Sequence, residues 1–388
     1  MASQVKPFHI EVPDEVLEDL RARLRRTRHA AACSGAGPWQ AGVDPDYLRD
    51  LVGYWAGGFD WRAREAQLNA LPQYTADLDG RRTHLVRLPG VRPAGVAAPP
   101  PLILCHGWPS SFLEMLPLAE RLTDPGRFGA DPAGAYDVVI PSLPGFLYSE
   151  LPPDGPLTRP AIAEVLHRLM TEVLGYSRYG TFGGDIGGAS TLWMANLHPE
   201  QVVGVHLIHP PFPSALDDLT AAEQAFVDAE AEYDESDGGY SAIMGTRPDT
   251  IAAALLDSPA GLAAWIVDKY RDWSDCHGDV ETRFDRDTLC TILTLYWATG
   301  SIGTSFRQYH DWPHNPPRPA VDVPVAVTLT AEPGLAGFPR SLAERAATDI
   351  RQWTEPGKGG HFMALEEPDL LAADIRAFFG KLSGPAGI

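Results

Sequence analysis

The sequence predicts an α/β fold: a mostly parallel sheet flanked by helices, with a helical cap inserted into it. Three observations carry this. Between residues 102 and 209, short apolar runs alternate with helical stretches, the rhythm of parallel strands joined by crossover helices. Within that rhythm, Tyr179-Gly180-Thr181-Phe182-Gly183-Gly184-Asp185-Ile186-Gly187-Gly188 reads as a short strand, a sharp turn and the start of a helix. From about Pro210 to Pro319 the rhythm stops, and a helical, Trp- and Tyr-rich segment bounded by prolines takes its place. The chain has 388 residues, 44% of them hydrophobic, enough for one large domain with an insertion or for two domains.

Each element follows from its local pattern. Pro13 and Asp14 open a helix in which Val16, Leu17, Leu20 and Leu24 fall at helical spacing. Arg23, Arg25, Arg26 and Arg28 gather towards its end, where they complement the helix dipole. After a Gly/Pro-rich break a second helix spans 46–55. Residues 74–78 and 83–88 alternate like two strands joined at Asp79-Gly80, a hairpin signal. Residues 92–101, rich in Pro, Ala and Gly, form a surface loop. The αβ run is then strand 102–105, helix 112–122, strand 137–140, helix 159–174, strand 178–182, helix 187–198 and strand 202–209. Beyond the insertion the sheet resumes at 323–330 and around 350–353, and a helix over 368–379 closes the chain.

Composition narrows the function classes. Fifty-one acidic residues stand against 31 Lys and Arg, a formal net charge of -20. With a sequence pI near 4.9, this disfavours nucleic acid and anionic membrane surfaces as partners. No apolar run approaches the length that spans a bilayer, and the start, Met1 to Phe8, lacks the apolar core of a signal peptide. Cys33, Cys105, Cys276 and Cys290 are scattered without a C-x-x-C pair, so reduced thiols in a cytoplasm are expected, with no metal site and no disulfide frame. Lys6, Lys269, Lys358 and Lys381 are the only lysines; with 37 Gly and 36 Pro, this is the composition of a GC-rich bacterial genome.

The chemistry centres on Asp185. Gly183 and Gly187 fall where the G-x-S-x-G nucleophile elbow of α/β-hydrolases needs glycine, but an aspartate stands at the apex. A serine that opened an alkyl electrophile would leave an ether, which water does not cleave under mild conditions. A carboxylate leaves an ester, which an activated water does cleave. Asp185 therefore points to epoxides or alkyl halides. Cys105-His106-Gly107-Trp108-Pro109 follows the first core strand, and the backbone N–H groups of Trp108 and Ile186 are the expected oxyanion donors. His106 is expected to be structural. An acid, Glu332, lies in the loop after 325–330, and Gly359-Gly360-His361-Phe362 occupies the last loop before the terminal helix. Nucleophile, acid and histidine thus follow the α/β-hydrolase order. Asp322 is a poorer candidate acid because it precedes the strand.

These motifs, in order, resemble the microsomal-type epoxide hydrolases, and among them a soluble bacterial member without the membrane anchor. The likeness also takes in Pro7-Phe8-His9-Ile10-Glu11-Val12-Pro13, Phe59-Asp60-Trp61-Arg62-Ala63-Arg64-Glu65 and the run Gly359 to Pro368. It implies an α/β-hydrolase core in two parts, residues 96–212 and 321–388, a helical cap over 213–320, and an N-terminal meander over 1–95 wrapping both. It further implies two cap tyrosines, Tyr240 and Tyr309, that assist ring opening. A phenol of pKa around 10 can donate to an opening epoxide oxygen while remaining protonated at neutral pH. The implied activity is cofactor-independent hydrolysis of an epoxide to a vicinal diol through an ester on Asp185, with His361 activating water and Glu332 orienting it. A bacterial member would serve epoxide catabolism, detoxification or the tailoring of secondary metabolites such as antibiotics.

Two other readings compete. A haloalkane dehalogenase also attacks through an elbow aspartate, but it typically cradles the halide with a tryptophan beside the nucleophile, where this chain has Ile186. A halide leaves without a proton; an epoxide oxygen needs an acid, and two candidate phenols are present. A non-catalytic ligand-binding protein on the same scaffold is opposed by the retention of Asp185, His361 and both tyrosines. The aromatic cap favours aryl or bulky alkyl epoxides as substrate. A homodimer is allowed.

Overall fold

The structure, a computed structural model, describes residues 5–33, 35–152 and 154–383. Met1, Ala2, Ser3 and Gln4 of the predicted N-terminal unit, and residues 384–388 of the last core segment, lie outside the described residues. Among the described residues nine strands form one sheet: β1 Lys6–Pro7, β2 Gln73–Leu78, β3 Arg81–Leu88, β4 Leu102–Cys105, β5 Val138–Pro141, β6 Tyr179–Gly183, β7 Val202–Leu207, β8 Val325–Thr328 and β9 Ile350–Thr354. Their order is β1-β2-β3-β5-β4-β6-β7-β8-β9. The pairs from β1 to β3 and the β3–β5 pair are antiparallel, and every pair from β5 to β9 is parallel. Strands β4, β5, β6 and β8 are buried at every residue, as strands covered by helices on both faces must be.

The helices before the insertion are α1 Asp14–Arg25, α2 Pro45–Gly57, α3 Trp61–Asn69, α4 Phe112–Thr123, α5 Arg159–Arg168 and α6 Asp185–Leu197. The insertion holds α7 Ala221–Asp237, α8 Gly239–Thr246, α9 Pro248–Asp257, α10 Pro259–Trp273, α11 Arg286–Thr299, α12 Ile302–Ser305 and α13 Arg307–His310. After it come α14 Arg340–Glu344, α15 Met363–Glu366 and α16 Pro368–Ser383. The N-terminal helices bond to the insertion: Tyr54 donates to Asp287 at 2.6 Å, Trp55 Nε1 to Thr294 at 2.9 Å, and Arg23 pairs with Asp257 at 2.7 Å. The hairpin β2–β3 meanwhile extends the sheet, so the first segment touches both bodies.

Four elements differ from the sequence reading. The helix predicted over 159–174 ends as α-helix at Arg168 and continues as a wider π-turn, Leu169–Val173, which puts both Leu169 and Met170 into the core. The strand predicted to reach residue 209 stops at Leu207, which frees the His209 ring to turn elsewhere. The helix expected from residue 187 begins at Asp185 itself. Helix α3, unassigned from the sequence, is capped by Asp60, whose carboxylate accepts from the Ala63 N–H.

The core also buries neutral histidines. His84 is bonded to Ser142 and Gln73 at 2.9 and 3.0 Å, and burial pushes its pKa down to about 3. A group depressed in the folded state gives stability that is present above its unfolded value, about 6.5, and is lost as pH falls below it. Thermal denaturation is expected to show Tm falling from pH 6.5 towards pH 4, with a shallower fall in His84→Gln. An unchanged slope in that variant would remove His84 from the account.

Candidate active site

Strand β6 turns into α6 through Asp185, whose backbone sits at φ 49°, in the left-handed region. For a residue with a side chain this costs about 1–3 kcal/mol, so surrounding contacts must hold it. Glycines let the neighbours close in. A Cβ at Gly187 would lie 2.2 Å from the Cys105 carbonyl oxygen, and one at Gly107 would lie 2.4 Å from Asp185 Oδ1. The carboxylate is held from the β4 side, where the Trp108 N–H donates to Oδ1 at 2.9 Å. Ile186 is the second residue of α6; among the described residues its N–H makes no hydrogen bond to the Asp185 side chain. His106 is fully buried between the Gly107 carbonyl and the Leu143 N–H, an arrangement that uses both ring nitrogens in packing the loop.

Behind the elbow lies a residue that the sequence reading missed. The Asp185 N–H donates to His209 Nδ1 at 2.6 Å, so the ring proton of His209 is on Nε2. Nε2 lies 2.7 Å from Glu332 Oε2, and Glu332 Oε1 lies 3.0 Å from His361 Nδ1. One carboxylate therefore joins two imidazoles, and through His209 it reaches the backbone of the elbow. Burial alone would raise the Glu332 pKa, but the His361 charge and the two hydrogen bonds hold it well below the usual carboxylate range. Burial works against the charged form of His361 too, yet Glu332 and then Asp185 outweigh it and push its pKa up to about 9. Asp322, the alternative acid, instead accepts from Thr348 at 2.9 Å, before the start of β8, whereas Glu332 follows its end.

The two cap tyrosines meet over this centre. Trp108, fully buried, stacks on Tyr240 with ring centroids 5.7 Å apart and the planes within 9°, and meets Tyr309 edge-on at 5.8 Å. The two phenol rings are 6.2 Å apart. Thus the residue whose N–H holds Asp185 also carries both tyrosines on its ring. Neither phenol oxygen has a hydrogen-bond partner among the described residues. Burial, and then the Asp185 charge, raise both pKa values, which keeps the phenols protonated as donors.

The loop bearing His361 is clasped to the cap. The buried Glu366 carboxylate accepts three backbone N–H groups, those of Asp275, Gly360 and Phe362, at 2.8, 2.9 and 3.0 Å. The His361 N–H donates to the Trp273 carbonyl at 2.8 Å. Arg283 ties the same corner through Asp275 and Glu367. His209, Glu332 and His361 each offer a ligand atom within 4.8 Å of the others, a donor set that suits zinc; a cation there would have to displace the hydrogen bonds that Glu332 now accepts.

A groove of about 510 Å³ reaches Asp185 along one face of α6, walled by Leu192, Trp193, Phe212 and Trp312.

Residues 5–115 match the family described as the epoxide hydrolase N terminus, and residues 100–245 match the alpha/beta hydrolase fold. The chain is 36% identical to a Stigmatella aurantiaca protein provisionally named an epoxide hydrolase, over 97% of this chain and 85% of that one. Identity to epoxide hydrolase 1 of Sus scrofa is 31%, over 97% of this chain and 89% of the relative. The crystal structure of juvenile hormone epoxide hydrolase from Bombyx mori matches with a TM-score of 0.87 at 27% identity, covering 98% of this chain and 95% of that chain.

The His209 bridge makes a measurable claim on stability. His209→Leu leaves the Asp185 N–H and Glu332 Oε2 without this partner in a half-buried setting, and an unmade bond of this kind costs about 1–3 kcal/mol. Urea denaturation should read a loss of at least that size. A variant as stable as wild type would show that the bridge does not hold the elbow.

Proposed function

The chain belongs to the epoxide hydrolase family of α/β-hydrolases and hydrolyses small-molecule epoxides; from that premise we propose that it works through a covalent ester on Asp185, with Tyr240 and Tyr309 as acids and His361 as base. One observation carries the assignment: both phenols lie on the ring of Trp108, whose N–H holds the Asp185 carboxylate. A proton donor pair above a carboxylate is what an epoxide demands, since its leaving oxygen departs as a basic alkoxide.

In the first half-reaction an Asp185 oxygen attacks a ring carbon, the carbon–oxygen bond of the epoxide breaks, and a phenol protonates the departing oxygen. The product is an ester between Asp185 and the opened substrate. In the second, His361 takes a proton from water, and the hydroxide adds to the ester carbonyl. The resulting oxyanion forms beside the Trp108 and Ile186 N–H groups, and collapse releases the diol and restores Asp185. The resting imidazolium of His361 fits this order. Its raised pKa owes part of its value to the Asp185 charge, which ester formation removes. The proton it then releases returns to the tyrosinate, and the neutral imidazole becomes the base. Four unpaired cysteines support a reducing compartment, the cytoplasm, as its location. The apolar groove supports an aryl or bulky alkyl body in the substrate.

His361→Gln should stop the cycle at the ester, visible by intact mass as a gain of one substrate. Absence of the adduct after a full pre-steady-state turnover would remove the covalent route. Tyr240→Phe and Tyr309→Phe should each slow ester formation by roughly 100- to 1000-fold, the usual effect of losing one such donor. Wild-type alkylation rates in both would return the tyrosines to packing roles. The hydrolysis step should rise with pH through an apparent pKa below about 9, the free-enzyme value for His361, because Asp185 is uncharged in the ester. Stopped-flow ester hydrolysis against pH, beside an NMR titration of the free enzyme, compares the two; an equal or higher value in the ester would contradict the coupling.

A further inference from the structure

The groove that reaches Asp185 has an unusual charge pattern. Its walls are mostly apolar, and among the described residues the only carboxylate lining it is Asp185 itself, yet two arginines, Arg159 and Arg318, also line it. This is a chain with 51 acidic residues to 31 basic ones, in which Arg62, Arg92 and Arg283 each find a carboxylate. Neither groove arginine has a carboxylate within ion-pair distance among the described residues. Arg318 gives its N–H groups to the carbonyls of Phe212, Pro319 and Ala346. Arg159 is less satisfied. One of its terminal nitrogens donates to Gln308 Oε1, its plane lies over Trp312 at 5.3 Å, and its buried Nε has no partner.

Position adds to this. Arg159 opens α5, where its backbone N–H donates to Asn315 Oδ1 at 2.7 Å, and Gln308 is the neighbour of Tyr309. Asp185 and Tyr309 are both near enough to act on it electrostatically. The nucleophile's charge is thus the nearest compensation for the guanidinium, and ester formation abolishes that charge. At that point in the cycle the half-buried guanidinium has no carboxylate partner among the described residues. A substrate that carried its own anion would supply one, and its oxygens would accept from the second terminal nitrogen of Arg159, which, unlike Nε, is not closed off.

Resting on the epoxide-hydrolase reading, we propose that Arg159 is a specificity residue and that the substrate class is an epoxide with an apolar body and a carboxylate, received by the Arg159 guanidinium. The apolar wall accommodates the body, and Arg318 makes the rest of the groove favourable to the negative group.

The test compares para-carboxystyrene oxide with its methyl ester at fixed ionic strength. Wild type should favour the acid in kcat/KM by roughly 10- to 150-fold, the range of a hydrogen bond to a charged group. Arg159→Met should bring that ratio to one or below, and Arg159→Lys should restore part of it. Because the readout is a ratio within one variant, a general loss of activity does not imitate the result. A wild-type ratio of one or less with the ester turned over, or a high ratio that survives in Arg159→Met, overturns the proposal. If wild type turns over neither epoxide, it is the hydrolase reading that fails. The anion site is then read by calorimetry with benzoate and benzamide: tighter benzoate binding that Arg159→Met abolishes sustains it, and equal binding of the two overturns it.

Discussion

At Asp185 the backbone passes through a left-handed turn that a side-chain-bearing residue resists, and three distant parts of the chain are arranged to hold it. The loop after β4 supplies the Trp108 N–H to the carboxylate; the end of β7 supplies His209 to the peptide N–H; the loop after β8 supplies Glu332 to His209. Glu332 then turns its other oxygen to His361. Asp185 and His361 are therefore members of one hydrogen-bonded chain rather than separate groups facing a pocket. Such a chain is strong only when every bond in it is made, since a buried polar network with one gap leaves a desolvated group unpaired.

Electrostatics follow from the same connection. An imidazolium between two carboxylates is stable, which is why His361 is held well above its ordinary value. In the proposed mechanism, ester formation at Asp185 would subtract one of those charges. The charge on Asp185 thereby bears on the protonation preference of His361.

Much of this arrangement was legible in the sequence, and the exceptions have physical reasons. Asp185, Trp108 and His361 sit in short glycine-bearing motifs, because close backbone approach leaves a compositional mark. Glu332 was found as the carboxylate in the right loop. Tyr240 and Tyr309 were reached only through resemblance; an aromatic residue in an aromatic cap is locally indistinguishable from packing. His209 could not be seen. Its partners are 24 and 123 residues away, and Val202 to His209 reads as an unbroken strand, although pairing ends at Leu207. Helix α3 was missed because one of its inward positions is the charged Glu65, which bonds the Trp61 indole and the Val12 N–H and so breaks the apolar period. Glu366 belonged to a recognised motif, but the bonds it accepts from three backbone N–H donors are a property of the fold alone.

The Glu366 clasp bears on how such proteins can be recombined. Caps inserted between strands look like exchangeable modules, joined to the core at two seams. Here there is a third seam: Trp273 and Asp275 of the insertion are bonded to the loop of residues 359–362, nearly ninety positions further on, with Glu366 and Arg283 as the fasteners. A chimera cut at the two obvious boundaries would carry half of each fastener into a foreign partner and leave His361 on an untethered loop. The natural unit of exchange is discontinuous, the insertion together with the stretch from residue 359 to 367, and a lineage that reshapes its cap must reshape that distant stretch in step.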